Sequence, residues 1–234
     1  MTSGCSGTLS LAGLGFRVRK ALVDVMRLLF YHGLVNVFGG NASAKLCTSF
    51  GFCAVYVTPS GKPKLALKPE DIVAVDPESG AVLGGGKPTV ELPMHLTIYR
   101  VRCDARAVVH AHTLYALEAW RRGILDVSVL GLEANYYLNT CIASVPKLEP
   151  GSRELAKAVG EKIRECDVVM LEDHGIVAIG VKEDPVEAVY QAFDRILLVE
   201  EAAKIALARE KLDGPSRKQM TGFQLESTLS HKKA

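Results

Sequence analysis

The sequence predicts a layered α/β domain with helices on both faces of a single sheet. Short β-branched runs alternate along the chain with segments whose apolar residues recur at helical spacing. At 234 residues and 48% apolar composition the chain is long enough to bury one sizeable core, and its length favours one domain over two. No internal repeat interrupts the pattern.

Residues 1–15 are rich in Ser and Gly and read as a flexible N-terminus. From Phe16 to His32, Ala21, Leu22, Val25, Met26, Leu29 and Phe30 recur at helical spacing with Arg17, Arg19 and Lys20 on the other side, an amphipathic helix that Gly33 stops as a C-cap. Val37 to Ser43, with Gly39-Gly40-Asn41 at its centre, reads as a turn-like stretch. Cys53 to Thr58 is a strand ended by Pro59-Ser60-Gly61. Ile72 to Val75 and Ala81 to Leu83 are short strands joined by the turn Asp76 to Gly80, and Gly84 to Pro88 is a flexible connector. Leu92 to Arg102 is a helix with Pro93 in its first turn, where the missing N–H costs little, and Glu91 stands at its entrance. Ala107 to His110 is a strand, Thr113 to Arg122 and Ser152 to Glu165 are helices, and Val168 to Leu171 and Ile176 to Ile179 are strands. A long helix runs from Asp184 to Lys211, with Asp184 as N-cap and Pro185 as its first residue. From Gly214 the chain turns polar and loses its period, so residues 213–234 read as a mobile tail after a domain of residues 16–212.

Lys and Arg number 28 against 26 for Asp and Glu, so no large field points to nucleic acid or a membrane surface. The N-terminus lacks the basic and apolar regions of a signal peptide, and no run reaches the roughly 18 apolar residues of a membrane span. A soluble cytoplasmic protein is expected. The six cysteines show no C-x-x-C pair and read as reduced, mostly buried thiols, although an even count also allows disulfides, particularly in a hyperthermophile.

The sharpest chemical feature is His110-Ala111-His112, because residues two apart on a strand point to the same face and can meet on one ion. An H-x-H pair also arises by chance on a sheet edge. In Leu171-Glu172-Asp173-His174-Gly175 an apolar strand again stops at a histidine, and three histidines at strand ends suit a divalent metal with one open position. The plainer reading of His174 is a hydrogen-bonded core residue, and the clustering speaks against it. Glu91 at a helix mouth can ligate an ion or take a proton from carbon, but a carboxylate there also suits the helix dipole. His95, one turn on, reads as structural. Gly40-Asn41, Ser60-Gly61 and Thr89 are small residues in turns or at a helix start, able to offer N–H and hydroxyl groups to an anion.

The order Gly40-Asn41-Ala42-Ser43, Thr58-Pro59-Ser60-Gly61, Glu91 with His95, His110-Ala111-His112 and His174-Gly175 resembles the class II aldolase and adducin head family over roughly residues 16 to 210. The resemblance implies a three-layer α/β/α sandwich with a central, mainly antiparallel or mixed sheet, assembled as a homotetramer with its site at a subunit interface. It implies a metal, zinc or else manganese or cobalt, on His110, His112 and His174. Glu91 would be a fourth ligand and, with substrate present, the acid/base group. Gly40, Asn41, Ser60, Gly61 and Thr89 would surround a phosphate. The implied reaction is reversible cleavage of a ketose 1-phosphate of the fuculose type, through a metal-stabilised enediolate, to dihydroxyacetone phosphate and an aldehyde.

The chain departs from the aldolase pattern where two adjacent serines become Thr89 and Val90, removing one hydroxyl. The segment Val127 to Asn139 does not reproduce a catalytic tyrosine, which leaves Tyr136 or Tyr137 as substitutes, and no tyrosine follows Gly214. Within the family, Glu91 favours an aldolase over a 4-epimerase, which has Asp there. A sugar-phosphate dehydratase shares the histidines. A non-catalytic adducin-like interaction module is the alternative from another class.

Overall fold

The computed structural model describes residues 11–132, 136, 138 and 141–229. In chain order the elements are α1 (Leu11–Tyr31), β1 (Asn41–Cys47), β2 (Cys53–Val57), β3 (Val73–Val75), β4 (Val82–Gly84), α2 (Leu92–Val101), β5 (Ala107–Ala111), α3 (Leu114–Arg121), β6 (Ile142–Val145), α4 (Arg153–Lys162), β7 (Val168–Leu171), β8 (Gly175–Gly180) and α5 (Pro185–Leu229). The eight strands form one sheet in the order β4-β3-β2-β1-β5-β8-β7-β6. All neighbours are antiparallel except β6 and β7, so the sheet is mixed, as the resemblance implies.

Strand alternation divides the interior into two cores. On β5, Ala107, Val109 and Ala111 pack with α1, α3 and α5, whereas Val108 packs with α2 and α4. On β8, Ile176 and Ala178 join the first core and Val177 and Ile179 the second. Helices therefore cover both faces, which gives the three layers. The same alternation turns His110 to the side of Val108, toward the layer that carries α2.

The helix starts obey their capping residues. Ser152 accepts from Leu155 N at 3.0 Å at the head of α4, and Asp184 accepts from Val186 N at 2.8 Å ahead of α5. Four features differ from the sequence reading. Asn41 to Ser43 belong to a central strand rather than a turn; their small size is tolerated because β1 lies between β2 and β5, with Asn41 to Ala44 buried. The strand β6 has no counterpart in that reading. The helix α1 opens at Leu11, ahead of the expected start at Phe16. Finally, α5 runs on to Leu229, past Gly214 and Pro215.

The reduced-thiol reading is also corrected. Antiparallel pairing sets Cys47 opposite Cys53, and these two are joined, as are Cys141 and Cys166. Cys103 is a free, exposed thiol, while Cys5 lies outside the described residues. Loop-closure entropy grows with the enclosed length, so the second bridge, with a separation of 25 residues against 6, should contribute more, about 3.5 against about 2 kcal/mol. Full reduction is expected to lower the free energy of unfolding by several kcal/mol, with Cys141→Ser causing more of that loss than Cys47→Ser. Denaturant titrations of the two variants check the order.

Candidate active site

Three imidazoles meet at one end of the sheet. His110 is the penultimate residue of β5, His112 follows the strand, and His174 immediately precedes β8, which pairs with β5. Their ring centroids lie 5.1, 4.6 and 5.3 Å apart, and one nitrogen from each falls within 4.8 Å of the others. Glycines make this convergence possible. A Cβ on Gly175 would fall on the Ala111 carbonyl, and one on Gly39 would stand 2.8 Å from the His112 ring. Gly40, with φ of +67°, has no room for a side chain between Val35 and the His110 carbonyl. Ahead of His174, Asp173 holds φ of +57°, with its carboxylate anchored by Arg121 at 2.7 Å and Lys147 at 3.2 Å.

Glu91 reaches the same point from the N-cap of α2. Its Oε2 is 3.4 Å from His110 Nε2, and its Oε1 is 3.9 Å from His174 Nε2. A directed hydrogen-bond chain stands behind it. His110 Nδ1 meets the Ile176 carbonyl at 3.0 Å and must donate, which leaves the lone pair on Nε2. Asn41 Nδ2 donates to Glu91 Oε2 at 2.6 Å, so Asn41 Oδ1 accepts from His95 Nε2, also at 2.6 Å. His95 Nδ1 is then the acceptor for Ser43 Oγ at 2.7 Å, and Ser43 Oγ for the Tyr99 hydroxyl at 2.9 Å. Every donor in this series points toward the carboxylate.

The electrostatics agree with neutral His95, His110 and His112 and an ionised acid. Burial pushes His95 and His110 down to about 4, against the pull of Glu91, and His112 is lowered by burial and then by His174. Burial works against the charged form of Glu91, but His110, the Asn41 amide and His174 outweigh it and hold the carboxyl below its usual range. Linkage follows for the metal-free protein. An unfolded histidine titrates near 6.5, so between that pH and about 4 the unfolded chain takes up protons that His95 and His110 refuse. Stability present above pH 6.5 is expected to be lost progressively as pH falls toward 4. His95→Gln should flatten that slope in denaturant midpoints measured from pH 7 to 4.5.

Buried atoms left without partners include Glu91 Oε1, His110 Nε2 and His174 Nδ1. Leaving such atoms unpaired is costly, and an ion beside Glu91 would satisfy Glu91 Oε1 and His110 Nε2. Three imidazoles with a carboxylate are a donor set suited to a borderline divalent cation, so His110, His112 and His174 could hold one, with Glu91 beside it.

The remaining sequence-derived residues are distributed around this centre. Thr89 N donates to the Thr58 carbonyl at 3.0 Å, and Pro59 bridges Pro88, which ties the Ser60–Gly61 turn to the entrance of α2. Gly61 has φ of +72° and open space around its Cα. Asn41 is buried, with its side chain engaged by Glu91 and His95. Tyr136 is 81% exposed, and Tyr137 lies outside the described residues. Ser43 and Tyr99 were not anticipated. Glu91, His95 and Tyr99 recur every four residues on one face of α2, a spacing that could have disclosed the chain.

Among known proteins, the class II aldolase and adducin N-terminal domain matches residues 20–207, and the chain belongs to that family. An L-fuculose phosphate aldolase of Methanocaldococcus jannaschii is 31% identical over 191 residues, covering 81% of this chain and 95% of the relative. A 5-deoxy-D-ribulose 1-phosphate aldolase of Bacillus thuringiensis is 32% identical over 160 residues, covering 68% and 73%. The crystal structure of L-fuculose-1-phosphate aldolase from Thermus thermophilus superposes with a TM-score of 0.71 at 33% identity, covering 85% of this chain and 97% of that one. The protein is thus a lyase of the class II aldolase type. No helix among the described residues is long and apolar enough to cross a membrane.

Proposed function

We propose that the protein reversibly cleaves a ketose 1-phosphate, fuculose 1-phosphate or a close relative, to dihydroxyacetone phosphate and an aldehyde. One observation carries the reading: the unpartnered Glu91 Oε1 lies beside three imidazoles gathered within 4.8 Å. A divalent ion, zinc in this reading, would supply Lewis acidity to a substrate carbonyl when bound. Glu91 would move the proton at the carbon next to that carbonyl, forming and quenching an enediolate. Asn41 fixes the carboxylate, and the Ser60–Gly61 turn with Thr89 lines the approach for phosphate. A homotetramer, as the resemblance implies, would cover Phe38 and Val90, which are 61% and 60% exposed beside Gly39 and Glu91.

Proton NMR of dihydroxyacetone phosphate in D2O tests the half-reaction without knowledge of the aldehyde. Exchange of the α-proton that chelator abolishes and added zinc restores is expected. Its absence in metal-loaded protein would turn the assignment toward a dehydratase.

A further inference from the structure

Lys64 has no part in the arrangement described so far. It opens the 3-10 turn Lys64–Ala66 and is 3% exposed, the one buried lysine among the described residues. Nearby Lys62 is exposed and pairs with Asp71, and buried Arg195 is matched by Asp167 at 2.7 Å. Lys64 has neither kind of partner among the described residues, and burial alone pushes its ammonium below the usual range. A buried cation without a counter-charge is costly, and a fold retains one where a ligand supplies the charge. Its ammonium is not among the unpartnered atoms sealed from solvent, so the stem is buried while the tip stays reachable.

Two ties locate the residue. Lys64 N donates to the Val37 carbonyl at 2.8 Å, fastening the turn to the loop that carries Gly39, whose missing side chain makes room for His112. On the other side, only Lys62 and Pro63 separate Lys64 from Gly61. Lys64 therefore stands between the Gly39–Gly40 and Ser60–Gly61 loops. Its charge adds to the burial and the His174 effect that lower His112.

We propose that Lys64 is the cationic group that receives the anionic head of the substrate, a phosphate monoester, at the margin of the His110–His112–His174 site. This rests on the sugar-phosphate reading given above. The dianion supplies the counter-charge that the fold withholds.

The test is calorimetric binding of inorganic phosphate to the full-length, metal-loaded protein, with the kinetics of dihydroxyacetone phosphate exchange alongside. Lys64→Met is expected to weaken phosphate binding and raise KM by at least about tenfold. Its metal content should be unchanged and its melting temperature no lower than wild type. Lys64→Arg keeps the charge and should retain most of the affinity, and Lys64→Leu serves if the Met variant does not fold. Phosphate binding in Lys64→Met within about twofold of wild type, or none by the wild type, overturns the assignment. Phosphate binding that depends on Lys64, with no proton exchange by the wild type, would uphold the anion site while removing the aldolase reading. Exchange with an unaltered KM in Lys64→Met would do the reverse.

Discussion

Glu91→Gln is expected to keep its metal and to lose turnover by about two to four orders of magnitude, the size typical of a lost acid/base group. The substitution is nearly isosteric, and Asn41 Nδ2 needs an acceptor, so the Gln oxygen should take the place of Oε2 and direct the amide nitrogen toward the imidazoles. The proton acceptor is removed there while the three imidazoles remain. Metal analysis of the purified variant and its rate of α-proton exchange decide the matter. A rate close to wild type would dismiss Glu91 as the acid/base group, whereas loss of metal with activity would make it chiefly a ligand.

His110→Ala is expected to lose metal and activity together. The ring is fully buried and sits between Glu91 at 3.4 Å and the Ile176 carbonyl at 3.0 Å. Removing it takes one of three ligands and strands that carbonyl, a cost of about 1–3 kcal/mol that a domain of this size can bear. A cooperative melt would show that the fold survives, and zinc content after dialysis reads the effect. Stoichiometric zinc in a folded His110→Ala protein would refute the ligand set.

Much of the architecture is legible in the sequence because its signals are local. Pro93 and Pro185 mark helix starts, Ser152 caps one, and the apolar period of residues 16 to 32 identifies α1. The clustering of His110, His112 and His174 is legible for the same reason, two of them sharing strand parity and the third preceding a glycine. What escaped depends on tertiary context. Asn41, Ala42 and Ser43 have poor strand propensity and form β1 because strands flank them on both sides. Ser43 is unremarkable until β1 lies over α2, and nothing local singles out Lys64, since lysine is so seldom buried. The bridge from Cys141 to Cys166 requires β6 to lie beside β7, a parallel pairing that no local signal announces.

The chain of donors ending on Glu91 makes the two oxygens of that carboxylate unequal. One is tethered through four successive hydrogen bonds to Tyr99, and the other has no hydrogen bond. Under the proposed roles, ion binding and proton transfer then compete for a single atom. Glu91 would serve them in turn, giving up the ion before it can accept a proton, so the arrival of substrate sets the order of events.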